Sequence, residues 1–171
     1  ALTDKTSLAD QPILIGQQTD SRDDEWRISL QAKIDAALEA GEIFPVFQPQ
    51  VDIRDLRVVG FEGLVRWNDS ERGFISPSYF VEQCEQAGRI EKLQEFMLTE
   101  CIDQFQQSPA MTTDAWLSVN VSATLLSNVW LAELVADTLE KTGFPADRLV
   151  LEITETARIH DHQTASAVLA S

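Results

Sequence analysis

What the chain has little of narrows it first. Only two of the 171 residues are cysteine, Cys84 and Cys101. They are too few for a disulfide framework and show neither CxxC nor Cys/His spacing for zinc. Both fall in helical patterns and read as reduced core thiols, which points to the cytoplasm, and no neighbour is of a kind to activate either one as a nucleophile. No apolar run approaches the roughly 20 residues that cross a bilayer. The start of the chain has neither a basic region nor a signal-like apolar stretch, so a soluble chain without membrane contact is expected, with any membrane tether of a parent protein lying elsewhere. Basic residues are also scarce: 13 against 28 acidic ones give a net charge of −15, which repels nucleic-acid duplexes and anionic membranes. A small phosphorylated ligand stays compatible with that charge where cations or a few placed arginines neutralise it locally.

What is present is ordinary for one soluble domain, with 44% apolar and 24% charged residues. Residues 1–23 are polar with one short apolar island, Pro12-Ile13-Leu14-Ile15-Gly16, and read as a linker or the tail of an upstream domain. Trp26, Leu30, Ile34, Ala37 and Leu38 then recur at helical spacing, with Asp23 or Asp24 as cap and Gly41 as stop. Phe44–Ile53 and Val58–Trp67 read as strands of an antiparallel hairpin. Ser76-Pro77 opens a helix that closes near Gly88, and Ile90, Leu93, Phe96, Met97 and Cys101 carry the next. Trp116–Val121 is a third strand. Ser127 is expected to cap a helix carrying Trp130, Leu131, Leu134, Val135 and Leu139, which ends at Gly143-Phe144-Pro145 before a fourth strand, Leu149–Thr154. A last helical stretch follows Asp161.

After the hairpin this is a βαβα alternation, so parallel strands with helices outside are expected. A (β/α)8 barrel typically takes about 250 residues and eight strands, and roughly four are legible here. The expected fold is therefore α/β, a partial TIM-like barrel. Half a barrel leaves open sheet edges and bare apolar faces, so either more chain completes it or two copies pair as a homodimer.

Within these strands, Glu62, Asn120 and Glu152 are lone polar groups in apolar runs. Burying an unpartnered carboxylate costs several kcal/mol or more, so each needs a hydrogen bond, an ion pair, a metal or a cavity mouth. Strand ends of a parallel barrel are where functional groups gather, and two carboxylates with one amide form an oxygen-only set suited to Mg²⁺, Mn²⁺ or Ca²⁺. The plainer alternative is an ion pair between Glu62 and Arg66, which share a strand face at a separation of four.

Five motifs then occur in order: Phe47-Gln48-Pro49, Gly60-Phe61-Glu62-Gly63-Leu64-Val65-Arg66-Trp67, Gly73-Phe74-Ile75-Ser76-Pro77, Ser118-Val119-Asn120-Val121-Ser122 and Leu151-Glu152-Ile153-Thr154-Glu155. Together they resemble the EAL domain family from about Phe44 onward, making residues 24–171 the N-terminal half of such a domain. The resemblance implies a modified TIM barrel that linearises cyclic di-GMP to pGpG with Mg²⁺ or Mn²⁺ and water. It implies Glu62, Asn120 and Glu152 as metal ligands and Gln48, Leu64 and Arg66 as substrate contacts. Arg66 suits phosphate because its planar fork donates two hydrogen bonds. An upstream sensor or GGDEF-type domain is the implied company in a parent protein.

Two departures bear on activity. The signature Glu-Ala-Leu reads Glu62-Gly63-Leu64, and a strand glycine weakens its strand by up to about 1 kcal/mol. Tolerance with modest effect is expected because Glu62 remains, the alternative being a loosened strand that misplaces Glu62, lowers turnover and favours a receptor. The family's Asp-Asp-Phe-Gly strand, catalytic lysine and later acidic residues fall beyond Ser171, so residues 1–171 alone are expected to be inactive. A cyclic di-GMP receptor that binds without cutting, and a regulator that only contacts another signalling domain, are the competing functions. His160 and His162 read as solvated loop residues, Glu155 as a helix-side residue or a supporting partner behind the ligands, and the Asn68–Arg72 run as a solvated turn. Trp26 and Trp130 read as core, with Trp67 and Trp116 less settled at strand ends.

Overall fold

A computed structural model describes residues 21–126 and 128–153. Helix α1 (Ser21–Glu39) precedes strands β1 (Ile43–Val51), β2 (Val58–Asp69) and β3 (Gly73–Ile75); helices α2 (Pro77–Gln86) and α3 (Ile90–Gln106) lead to β4 (Trp116–Val121), α4 (Val129–Thr142) and β5 (Leu149–Ile153). The sheet runs β1-β2-β4-β5, with β3 paired to β2. The β1/β2 and β2/β3 pairs are antiparallel, while β2/β4 and β4/β5 are parallel. This is the hairpin followed by βα units that the periodicity implies, plus a three-residue strand too short to announce itself.

Strand alternation sends odd positions of β2 and β4 toward the helices. Leu117, Val119 and Trp67 are fully buried there, and α3 supplies Leu93, Met97, Leu98, Cys101, Ile102 and Phe105 at helical spacing to meet them. Trp67 stands edge-on to Phe80 at 5.5 Å between ring centroids. Aromatic and aliphatic burial of this kind is the chief stabilising contribution, about 1.5–3 kcal/mol for each large side chain. A second, smaller cluster of Val121, Leu125, Leu126 and Leu131 seals the end of β4 against α4.

Several local expectations shift. Helix α1 already includes Ser21, which puts Asp23 and Asp24 within the helix rather than at its cap. Asn128 caps α4, its side-chain oxygen accepting from the Trp130 amide at 3.0 Å, where Ser127 was expected; Ser127 itself lies outside the described residues. Ser76 precedes α2 as expected, yet its hydroxyl pairs with Ser78 rather than capping. Asp69 is 3% exposed, not a solvated loop carboxylate: Oδ1 accepts from the Glu71 and Arg72 amides at 3.0 and 2.8 Å and so builds the β2–β3 turn. Among the tryptophans whose side chains are described, Trp67 is the deeply buried one, whereas Trp130 is half-buried. The side chain of Trp26, together with Glu155, His160, His162 and the stretch after Asp161, lies outside the described residues.

Candidate functional site

The even positions of the same strands form the other face. Register places Gln48 beside Glu62, Glu62 beside Ser118, and Asn120 beside Glu152, so these side chains share one side of the sheet. Phe44, Trp116 and Val150, at 37%, 36% and 39% exposure, lie on this face too, and it is the more open of the two. Asn120 and Glu152 stand next to the last residues of β4 and β5, Val121 and Ile153. Glu62 falls near the C-terminal end of the β2 segment, Gly60–Gly63, that pairs with β4. All three therefore gather at one end of the parallel ladder, where the helices of a barrel fold follow their strands.

Glu62, Asn120 and Glu152 are half-buried. Asn120 Nδ2 donates to Glu62 Oε1 at 2.7 Å, which satisfies the carboxylate without neutralising it. Arg66 instead donates to its own strand, Nη1 to the Val65 carbonyl at 2.8 Å, so the expected alternative of a Glu62–Arg66 ion pair is not what answers the polar group. With its amide nitrogen committed to Glu62, Asn120 presents Oδ1 as its remaining acceptor. Two carboxylates and that oxygen fit the donor chemistry of Mg²⁺ or Mn²⁺. Among the described residues no three of His, Cys, Asp and Glu converge, so the amide oxygen is integral to any such set. Leu64 and Arg66 continue the same face along β2 and are half-buried, while Gln48 is exposed on β1.

Two residues of the site are not singled out by the sequence motifs. Gln50 Nε2 donates to Glu152 Oε1 at 3.1 Å, and Gln50 Oε1 accepts from Trp116 Nε1 at 2.6 Å and Ser118 Oγ at 3.4 Å. Its signal was its spacing: two residues from Gln48 in a strand, it shares that face. Gln94, 5% exposed on α3, clamps the end of β4 by donating to the Asn120 carbonyl at 3.2 Å and accepting from the Ser122 amide at 3.4 Å. A glutamine in the Ile90-Leu93-Met97-Cys101 stripe is a polar residue at an apolar position, and that was its signal.

Gly63 is buried rather than loose. A Cβ there would stand 2.5 Å from Cys101 Sγ, so the cysteine occupies the volume that an alanine side chain takes. Burial pushes the Cys101 thiol up to about 12, because a thiolate cannot be solvated there, and the same cause raises Cys84 to about 12. Both are free, buried thiols with a packing role. A cavity of about 610 Å³ lined by Phe47, Phe61, Phe105 and Pro109 lies on the helix side of the sheet and is no part of this polar face.

A mixed sheet with helices on one face and an oxygen-donor cluster at the ends of its parallel strands defines an α/β domain of TIM-barrel-like build. Residues 31–171 match the family model of the EAL domain, and the chain belongs to that family. It is 35% identical over 143 residues to the probable cyclic di-GMP phosphodiesterase PdeI of Escherichia coli K12, covering 81% of this chain and 18% of PdeI. It is 34% identical over 148 residues to the uncharacterized protein Rv1354c of Mycobacterium tuberculosis, covering 85% of this chain and 24% of that protein. The solved structure of the PaMucR phosphodiesterase in complex with c-di-GMP superposes with a TM-score of 0.76 at 26% identity, over 83% of this chain and 58% of that one. The chain thus spans less than two thirds of each. Among the described residues, no helix is long and apolar enough to cross a membrane.

Proposed function

We propose that the complete protein hydrolyses cyclic di-GMP to pGpG in second-messenger signalling, with Mg²⁺ or Mn²⁺ held by Glu62, Asn120 and Glu152. The observation that carries the proposal is the meeting of these three side chains on one open sheet face, Asn120 bonded to Glu62 at 2.7 Å, in a chain of the EAL family. When bound there, a divalent ion supplies charge neutralisation for the phosphodiester and an activated water. Glu62 and Glu152 contribute the negative charge that retains the ion, and Asn120 both orients Glu62 and adds a neutral oxygen. Arg66 meets a phosphate by its guanidinium fork, Leu64 gives a half-buried apolar contact, and Gln48, exposed beside Glu62, offers an amide to a base edge. The chain's net charge of −15 disfavours a free dianionic ligand, and a bound divalent ion with Arg66 locally offsets that.

A Gly63 that loosens β2 and misplaces Glu62 would favour the receptor reading. Cys101 packed into the space at Gly63 speaks against such looseness. The proposal includes a family ligand set completed outside residues 1–171, so this segment on its own yields no useful turnover. It extends to a cytoplasmic setting, a homodimer and an upstream sensor or GGDEF-type domain. The test is pGpG formation by the full-length protein with and without Mn²⁺. Metal-dependent conversion is expected; stoichiometric binding of cyclic di-GMP with no product in either condition contradicts hydrolysis and favours the receptor.

A further inference from the structure

We infer that Gln50 is a positioning residue for Glu152, itself fixed by the Trp116 indole lying across Gly60. The inference rests on the metal-dependent reading above. Gln50, Gly60 and Trp116 are neighbours in one register row across β1, β2 and β4. The middle position has no side chain, and the indole uses that gap: a Cβ on Gly60 would lie 2.2 Å from Trp116 Nε1. Only a glycine at this place lets the ring cross β2 and reach Gln50 on the far strand.

The contacts settle which way the Gln50 amide points. An indole N–H only donates, so the Gln50 atom 2.6 Å from Trp116 Nε1 is the oxygen, and Ser118 Oγ donates to the same oxygen at 3.4 Å. Nε2 is thereby turned toward Glu152 Oε1, 3.1 Å away. The carboxylate receives a donor that is neutral. An arginine in this place would orient Glu152 equally well but would cancel the charge a cation needs, whereas an amide holds one oxygen and leaves the negative charge and Oε2 available. Glu62 is treated in the same way by Asn120, so each carboxylate of the site has one neutral amide donor. Partners of this kind typically govern metal affinity about 10- to 100-fold without touching the ion.

The test is Mn²⁺ binding to metal-stripped full-length protein by titration calorimetry, which requires no turnover. Gln50→Leu is expected to weaken Mn²⁺ binding about tenfold or more, with the melting temperature of the metal-free protein within about 5 °C of wild type. Trp116→Phe, which keeps the ring over Gly60 and removes only the N–H donor, is expected to weaken binding in the same direction by a smaller factor. Wild-type Mn²⁺ affinity in Gln50→Leu overturns the inference. Should that variant melt more than about 5 °C early, Trp116→Phe decides, and unchanged affinity there overturns it as well. Glu152→Gln separates the two levels. Loss of Mn²⁺ binding in Glu152→Gln with none in Gln50→Leu sinks this inference alone, while wild-type binding in Glu152→Gln sinks the metal reading and the inference with it.

Discussion

Replacing Gly63 by alanine restores the family's Glu-Ala-Leu signature, yet the packing around it predicts a loss of stability. The new Cβ would sit 2.5 Å from Cys101 Sγ, on a side chain with 0% exposure, so the thiol or the strand must shift within a packed core. Overpacking of this sort costs about 1–3 kcal/mol, and the backbone benefit of alanine over glycine recovers about 0.5–1 kcal/mol. A net loss of about 1–2 kcal/mol is expected. Removing the sulfur with Cys101→Ala leaves a small void and costs about 1–2 kcal/mol on its own. Together the two changes fit: with Sγ gone, the nearest atoms to the new Cβ are Cys101 Cβ and the Ser118 carbonyl oxygen, both at 3.5 Å and in ordinary contact. The double variant should therefore lie within about 1 kcal/mol of wild type, a coupling energy of about 2 kcal/mol. Urea denaturation of the four proteins of this cycle measures it. Losses that add to within about 0.5 kcal/mol would show that Gly63 and Cys101 are not packed as partners.

Three further outcomes follow from the same contacts. Gln94→Leu leaves the Asn120 carbonyl and Ser122 amide without their side-chain partner and should cost about 1–3 kcal/mol in chemical denaturation; a neutral change removes the clamp from the account. Arg148, whose guanidinium donates to the Ala115 carbonyl at 2.9 and 2.6 Å and to the Met111 carbonyl at 3.2 Å while standing 5.7 Å from the Phe105 ring, anchors the start of β4. Arg148→Met should destabilise by about 2–4 kcal/mol, and an unchanged urea midpoint would contradict that anchoring. Burial raises both thiols to about 12, so at pH 8 they are protonated and Ellman's reagent should label neither until urea unfolds the chain; labelling in folded protein would show that Cys84 or Cys101 is accessible.

The fold was legible where a period repeats over several residues. Alternation in β2 and β4 and the Leu93-Met97-Cys101 stripe of α3 follow from burying one face, and the structure has them. Single-residue chemistry was harder to read. Asp69 sits in a polar run with the composition of a solvated turn, and only the closure of that turn onto β2 buries it. Ser127 and Asn128 are equally good caps by residue type, and the choice falls to where α4 begins. Glu62, Asn120 and Glu152 stood out because carboxylates and amides in apolar strands demand a partner. The partners themselves are set by register: Gln50 and Glu152 are 102 residues apart, and no local pattern links them. The surroundings of Gly63 are set in the same way. Glycine in a strand signals looseness until the residue facing it is known, and that residue is 38 positions away on α3.

The most direct test of the account is pGpG formation by the full-length protein beside its Glu62→Gln variant, with Mn²⁺ present and the melting temperature of each recorded. Wild type should convert cyclic di-GMP, while Glu62→Gln should form no product yet melt within about 5 °C of wild type. Turnover by Glu62→Gln at the wild-type rate, or a variant that no longer folds, would contradict the assignment of Glu62 to a metal-dependent site.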